Sequence, residues 1–106
     1  MPRYLIEASY TLDGARGLVK DGGSKRKATV ARLVESAGGR LEAFYFVFGD
    51  RDVVAIVDLP DNVSAAAVAL IPSASGGATI KTSVLLTPEE IDQAVKKTVT
   101  YVPPGQ

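Results

Sequence analysis

Residues 40–59 read RLEAFYFVFGDRDVVAIVDL, two apolar runs divided by a short polar turn. Aromatic and β-branched residues dominate both runs, so RLEAFYFVF at 40–48 and DVVAIVDL at 52–59 each read as a strand. With only GDR between them the two must pair as an antiparallel hairpin, and Gly49 is the residue able to supply a positive φ at the reversal. The turn itself, FGDRD at 48–52, also has the look of a site: two carboxylates around one arginine. What flanks the hairpin decides between the two readings.

Upstream, RYLIEASYT at 3–11 alternates as a strand, with Tyr4, Ile6, Ala8 and Tyr10 on one face and Leu5, Glu7 and Ser9 on the other. The following LDGARGLVKDGG holds Gly14, Gly17, Gly22 and Gly23, a composition that allows a short helical turn at most. Ser24 is the expected N-cap of an amphipathic helix carrying Val30, Leu33, Val34 and Ala37 on one face, ended by Gly38 and Gly39. The KRK at 25–27 reads as the solvated side of that helix.

Downstream of the hairpin, Asp61 or Asn62 caps a second helix in VSAAAVALIPSASGG, with Val63, Ala66, Ala67 and Leu70 as its sheet-facing side. Pro72 should end or kink it near Leu70. ATIKTSVLLT at 78–87 is a fourth strand, and TPEE at 87–90 spells a capping box: Thr87 as N-cap, Pro88 at the first helical position, Glu90 reaching back. Ile91, Ala94 and Val95 carry a short last helix into a tail, 98–106, whose Val99, Tyr101 and Val102 could dock on a partner subunit. The order is therefore β-α-β-β-α-β with a C-terminal helix: an α+β, ferredoxin-like fold with a four-stranded antiparallel sheet and both helices on one face. The 106 residues make a single domain.

Composition removes much chemistry. The chain has no Cys and no His, which excludes thiolate or imidazole metal sites, imidazole-ligated haem, Ser-His-Asp triads and His bases. No cofactor is expected. Twelve basic residues balance twelve acidic ones, so no net field draws a nucleic-acid backbone. No apolar run is of membrane-spanning length and MPRYLIEASY lacks a signal-peptide pattern, so the expected location is cytoplasmic, with neither nucleic acid nor membrane as partner. A divalent metal on Asp50, Asp52 and Asp58 is weighed and set aside, because the spacing lacks the ligands of a calcium loop and solvated turn acids explain it.

The helix-free face of the sheet is where function is expected. It should mix Leu5, Tyr45, Val47, Val53 and Ala55 with Glu7, Ser9, Lys81 and Ser83, too apolar to be left in water. The natural cover is the same face of a second copy, which closes a barrel-like interior around any remaining pocket. Glu7 and Lys81 are odd residues there, either rim charges reaching solvent or a ligand-facing acid and base. In the usual strand order these two need not meet within one subunit.

YLIEASYT near the start, ESAGGRLEAFYFVFGDRDVVAIVDLPD in the middle and TSVLLTPEEI near the end together resemble the GYD-domain family of small bacterial proteins. The resemblance implies the dimeric α+β barrel type of ferredoxin-like fold, a group that includes cofactor-less monooxygenases, isomerases and haem enzymes. Gly49 and Asp52 match the family's Gly-Tyr-Asp motif, while Arg51 stands where the Tyr would be. Chemistry that depends on that Tyr does not carry over.

Three functions compete. The first is a small-molecule binder or cofactor-less enzyme that desolvates an apolar or aromatic ligand in the barrel. Its catalytic candidates are Glu7, Tyr45 and Lys81, and its ligand-binding set adds Ser9, Arg51, Asp52 and Ser83. The second is a non-catalytic oligomeric or interaction protein, suggested by SAAAVALI and the apolar tail. The third is a tautomerase using Pro2 as an N-terminal amine after loss of Met1.

Overall fold

Four strands with an apolar helix-facing side assemble one antiparallel sheet, in the spatial order Arg40–Phe46, Val53–Asp58, Arg3–Tyr10 and Ala78–Leu85. The computed structural model describes residues 1–106. Its elements are β1 (Arg3–Tyr10), α1 (Leu12–Asp21), α2 (Gly23–Ser36), β2 (Arg40–Phe46), β3 (Val53–Asp58), α3 (Asn62–Ala74), β4 (Ala78–Leu85) and α4 (Pro88–Val95). The fold is α+β.

The core forms where the sheet's apolar side meets α2 and α3. Tyr4 and Ile6 of β1, Phe44 of β2 and Val53, Ala55 and Val57 of β3 pack with Val34 of α2 and Ala65 and Val68 of α3. Leu59, Val34 and Val57 are wholly buried. Tyr4, also fully buried, passes its hydroxyl hydrogen to Asn62 Oδ1 at 2.6 Å, tying β1 to the first residue of α3. Where α2 turns into β2, Gly38 has a φ of 86°. Gly39 then lies so close to the Asp58 carbonyl and the Leu59 side chain that a Cβ has no room.

Several expectations are corrected. Residues 12–21 form a full helix, not a single turn, because Thr11 Oγ1 accepts the Gly14 N–H at 3.2 Å and donates to the Gly76 carbonyl at 2.7 Å. Gly14 is there because a Cβ would strike the Gly77 carbonyl. The N-cap of α2 is Gly22, at φ 82°, rather than Ser24. Of the KRK cluster, Lys25 and Lys27 are exposed, but Arg26 folds back with its guanidinium 6.0 Å from the Tyr10 ring centre.

Asp61 caps α3 through the Ser64 N–H, yet the buried face is Ala65 and Val68, leaving Val63 and Leu70 exposed. Between Ala65 and Pro72 the helix is apolar on every side, which gives no periodic signal by which to choose its inner side. Pro72 does not stop that helix; it runs on to Ala74, with Ser73 Oγ donating to the Ala69 carbonyl at 2.7 Å. The capping box at Thr87 and Glu90 is present as read.

The hairpin also differs. The strands end at Phe46 and restart at Val53, and Gly49 is not among the glycines with positive φ, so the reversal is a wider loop than GDR alone. β2 carries a bulge between Leu41 and Ala43. Val53 and Ala55 face the helices, 5% and 2% exposed, and not the open face. Register explains this: Ala55 pairs with Ile6 and Val53 with Ala8, both on the core side of β1.

Candidate functional site

Pairing of β1 with both β3 and β4 decides which open-face residues meet. Tyr45 lies opposite Val54, Val54 opposite Glu7, and Glu7 opposite Lys81, so these four form one rung across all four strands. At about 4.8 Å per strand the rung is roughly 14 Å long. The expectation that Glu7 and Lys81 need not meet is corrected, since β4 is the direct neighbour of β1. Their Cβ atoms face each other across a cross-strand pair, about 5 Å apart.

The next rung reads Ala43, Ile56, Leu5, Ser83, and on the other side Ser9 pairs with Thr79. Apolar Leu5, Val54 and Ile56 therefore frame an acid, an amine and a phenol. The chain's ion pairs are made by Arg3, Arg40 and Lys25, which leaves Glu7 and Lys81 free of strong partners. Such a trio can hydrogen-bond and exchange protons with a weakly acidic ligand laid on the apolar floor. Tyr45 is 69% exposed in the single chain.

Arg51 and Asp52 lie elsewhere. Asp52 Oδ2 accepts the Tyr10 N–H at 2.8 Å, its own N–H donates to the Ala8 carbonyl at 2.9 Å, and its carbonyl accepts the Val47 N–H. The residue stitches the hairpin to the end of β1, which accounts for the carboxylate without a ligand. Asp52→Ala is expected to lower unfolding free energy by about 1–3 kcal/mol, read as a shift of the urea midpoint. Asp52→Asn, which keeps one acceptor oxygen, should cost less. No three carboxylates gather closely enough to hold a metal ion, and Asp50, Asp52 and Asp58 are divided by the length of β3.

Two features were not read from the sequence. At the far end of the open face Arg3, Arg40, Glu42 and Asp58 form a charge network, made possible by the β2 bulge at Glu42. Arg3 Nε meets Asp58 Oδ1 at 2.9 Å. That hydrogen bond, outweighing burial and helped by Glu42 and Arg40, holds the Asp58 carboxyl below the usual carboxylate range. A carboxyl lowered on folding stabilises above its unfolded pKa and loses that contribution as pH falls through the folded value. Stability should therefore decline as pH drops below about 4, and Asp58→Asn should flatten that limb of a pH-resolved melting curve. A groove of about 1050 Å³ runs beside this network to Thr87 and Glu90, with Pro2 on its wall.

The second missed feature is an apolar cleft of about 510 Å³ between α1 and the hairpin, lined by Tyr10, Leu18, Val19, Phe46 and Phe48, with Asp52 at its edge. The chain bends between α1 and α2 at Gly22, φ 82°, and Gly23 after it lets the Phe46 ring approach, since a Cβ there would lie 3.0 Å from that ring.

No helix is long and apolar enough to cross a membrane. No curated protein and no solved structure matches the chain. The family model of the GYD domain matches residues 4–95, from the second residue of β1 to the last of α4. By that match the chain belongs to the GYD domain family.

Proposed function

We propose that two copies of this chain pack open face to open face, in a dimeric ferredoxin-like barrel, and bind a small apolar or aromatic molecule with a weakly acidic hydroxyl between them. The observation that carries this reading is the Tyr45–Val54–Glu7–Lys81 rung on an otherwise apolar surface. Covering the face with a second copy removes Leu5, Val54 and Ile56 from water and doubles the rung by symmetry. In the low-dielectric space between the sheets, the Lys81 ammonium would stabilise a phenolate or enolate and Glu7 would take or return its proton. Tyr45 would orient the ring by stacking or through its hydroxyl. The same apparatus serves a binding protein or a cofactor-less enzyme.

The test is titration with 2-naphthol as probe, followed by its fluorescence. Lys81→Met and Glu7→Gln should each weaken binding by about tenfold or more, while Asp50→Asn on the exposed hairpin tip should leave it unchanged. Equal affinity in all four proteins would contradict the assignment.

A second reading, a non-catalytic oligomeric protein, is favoured by the exposed apolar residues after β4, among them Val95, Val99 and Tyr101. It predicts the same assembly with no bound small molecule and no effect of Lys81→Met on thermal stability in the probe's presence.

A further inference from the structure

Beyond the groove that Thr87 and Glu90 help to wall, the chain after β4 is left uncovered by the body. Residues 86–106 are exposed throughout, including Leu86, Ile91, Val95, Val99, Tyr101 and Val102. The chain's accessible surface is 7467 Å², against about 5,700 Å² for a compact monomer of its mass. Its radius of gyration is 16.9 Å, where about 13 Å is usual for this length. An excess of roughly 1,800 Å² per chain, about 3,600 Å² for a pair, falls in the range that obligate homodimer interfaces remove.

We propose that this arm docks in the apolar cleft between α1 and the β2–β3 hairpin of a second copy of the chain. The inference rests on the two-copy reading above. Three observations select that cleft. It is lined by side chains that the single chain leaves uncovered: Val19 is 87% exposed, and Phe48 is fully exposed. Its α1 and α2 flank bears exposed Arg16, Lys20 and Lys27 against exposed Asp13, with Lys25 paired to Asp21, whereas α4 opens with Glu89, Glu90 and Asp92 ahead of Lys96 and Lys97. The basic excess of the flank faces the acidic first turn of α4, which favours entry of that end of the arm.

Reach supplies the third. β4 begins at Ala78, opposite Tyr10 at the cleft end, and finishes at Leu85, opposite Arg3 at the other. The arm leaves about 25 Å from its own cleft, the length of an eight-residue strand, and does not fold back on it. A two-fold axis lying between the sheets and across the strands sets each arm end against the partner's hairpin end. On α4, Ile91 and Val95 share one side at helical spacing, the side that would enter the cleft.

The chain lacks cysteine, so single introduced thiols report without background. Full-length Val95→Cys and Val19→Cys chains, distinguishable by tags, are co-expressed and mildly oxidised. The expected result is a mixed disulfide exceeding either same-variant disulfide by about tenfold. A statistical mixture overturns the proposal, and so does an intrachain disulfide in a monomeric Val19→Cys/Val95→Cys double variant. A small apolar molecule occupying the cleft in place of the arm would also give the statistical mixture. Light scattering on the unaltered chain separates the failures. A monomer removes the two-copy reading as well, whereas a dimer with a statistical mixture removes only the docked arm.

Discussion

Val54→Asp is expected to give a folded monomer. Val54 sits in the middle of the open face, between Tyr45 and Glu7 on its rung, and is only half-buried in the single chain. Its side chain points away from the core, so the new carboxylate reaches water and the fold survives. In the proposed two-copy assembly the same carboxylate would be trapped beside Glu7, and symmetry would repeat the conflict on the partner. An uncompensated buried charge costs about 3–5 kcal/mol, which raises the dissociation constant by roughly a hundredfold to more than a thousandfold. Light scattering together with an unchanged circular dichroism spectrum reads the outcome. Arg32→Asp, on the exposed side of α2, is the control that should leave the mass unaltered. An unaltered mass for Val54→Asp would place any oligomer contact elsewhere.

Tyr4→Ala should be the most destabilising single truncation in the core, at about 3–5 kcal/mol. The ring is 1% exposed, packs under α2 and α3, and its hydroxyl is the link to Asn62. Tyr4→Phe separates the two contributions. It keeps the ring and leaves Asn62 Oδ1, which lies on the exposed first residue of α3, open to water, for a cost of about 1 kcal/mol. A small domain holds about 5–15 kcal/mol in all, so Tyr4→Ala should unfold at a much lower urea concentration and Tyr4→Phe only slightly lower. Equal midpoints for the two variants would mean that the hydrogen bond, and not the ring, carries the link.

Strand identity was legible because the signal is local. Tyr4, Ile6 and Ala8 alternate with Leu5, Glu7 and Ser9, and the structure keeps that division. Facing was illegible where alternation vanishes. VVAIV is apolar on both sides, so only its register with Ile6 and Ala8 shows that Val53 and Ala55 turn inward. The apolar middle of α3, Ala65 to Pro72, hid its inner face in the same way, while Thr87 and Glu90 announced α4 through a cap that needs no tertiary context. For α1, counting glycines misled because Gly14 serves a close approach to Gly77 instead of breaking the helix.

The site was half legible. Glu7, Tyr45 and Lys81 stood out as polar or amphipathic residues on an apolar face, but their alignment depends on strand order, which periodicity does not encode. Asp52 looked like chemistry and is a backbone tie to Tyr10. The Arg3–Asp58 pair joins strand ends 55 residues apart in sequence, beyond the reach of any local pattern.

The most direct measurement is hydroxyl-radical labelling of Tyr45 as a function of chain concentration, read by mass spectrometry. Tyr45 is 69% exposed in the single chain, and buried Tyr4 provides an unreactive internal reference. If the open face is the subunit interface, labelling of Tyr45 falls by about tenfold between dilute and concentrated protein and stays high at every concentration in Val54→Asp. Labelling of Tyr45 that is independent of concentration and equal in the two proteins would contradict the account.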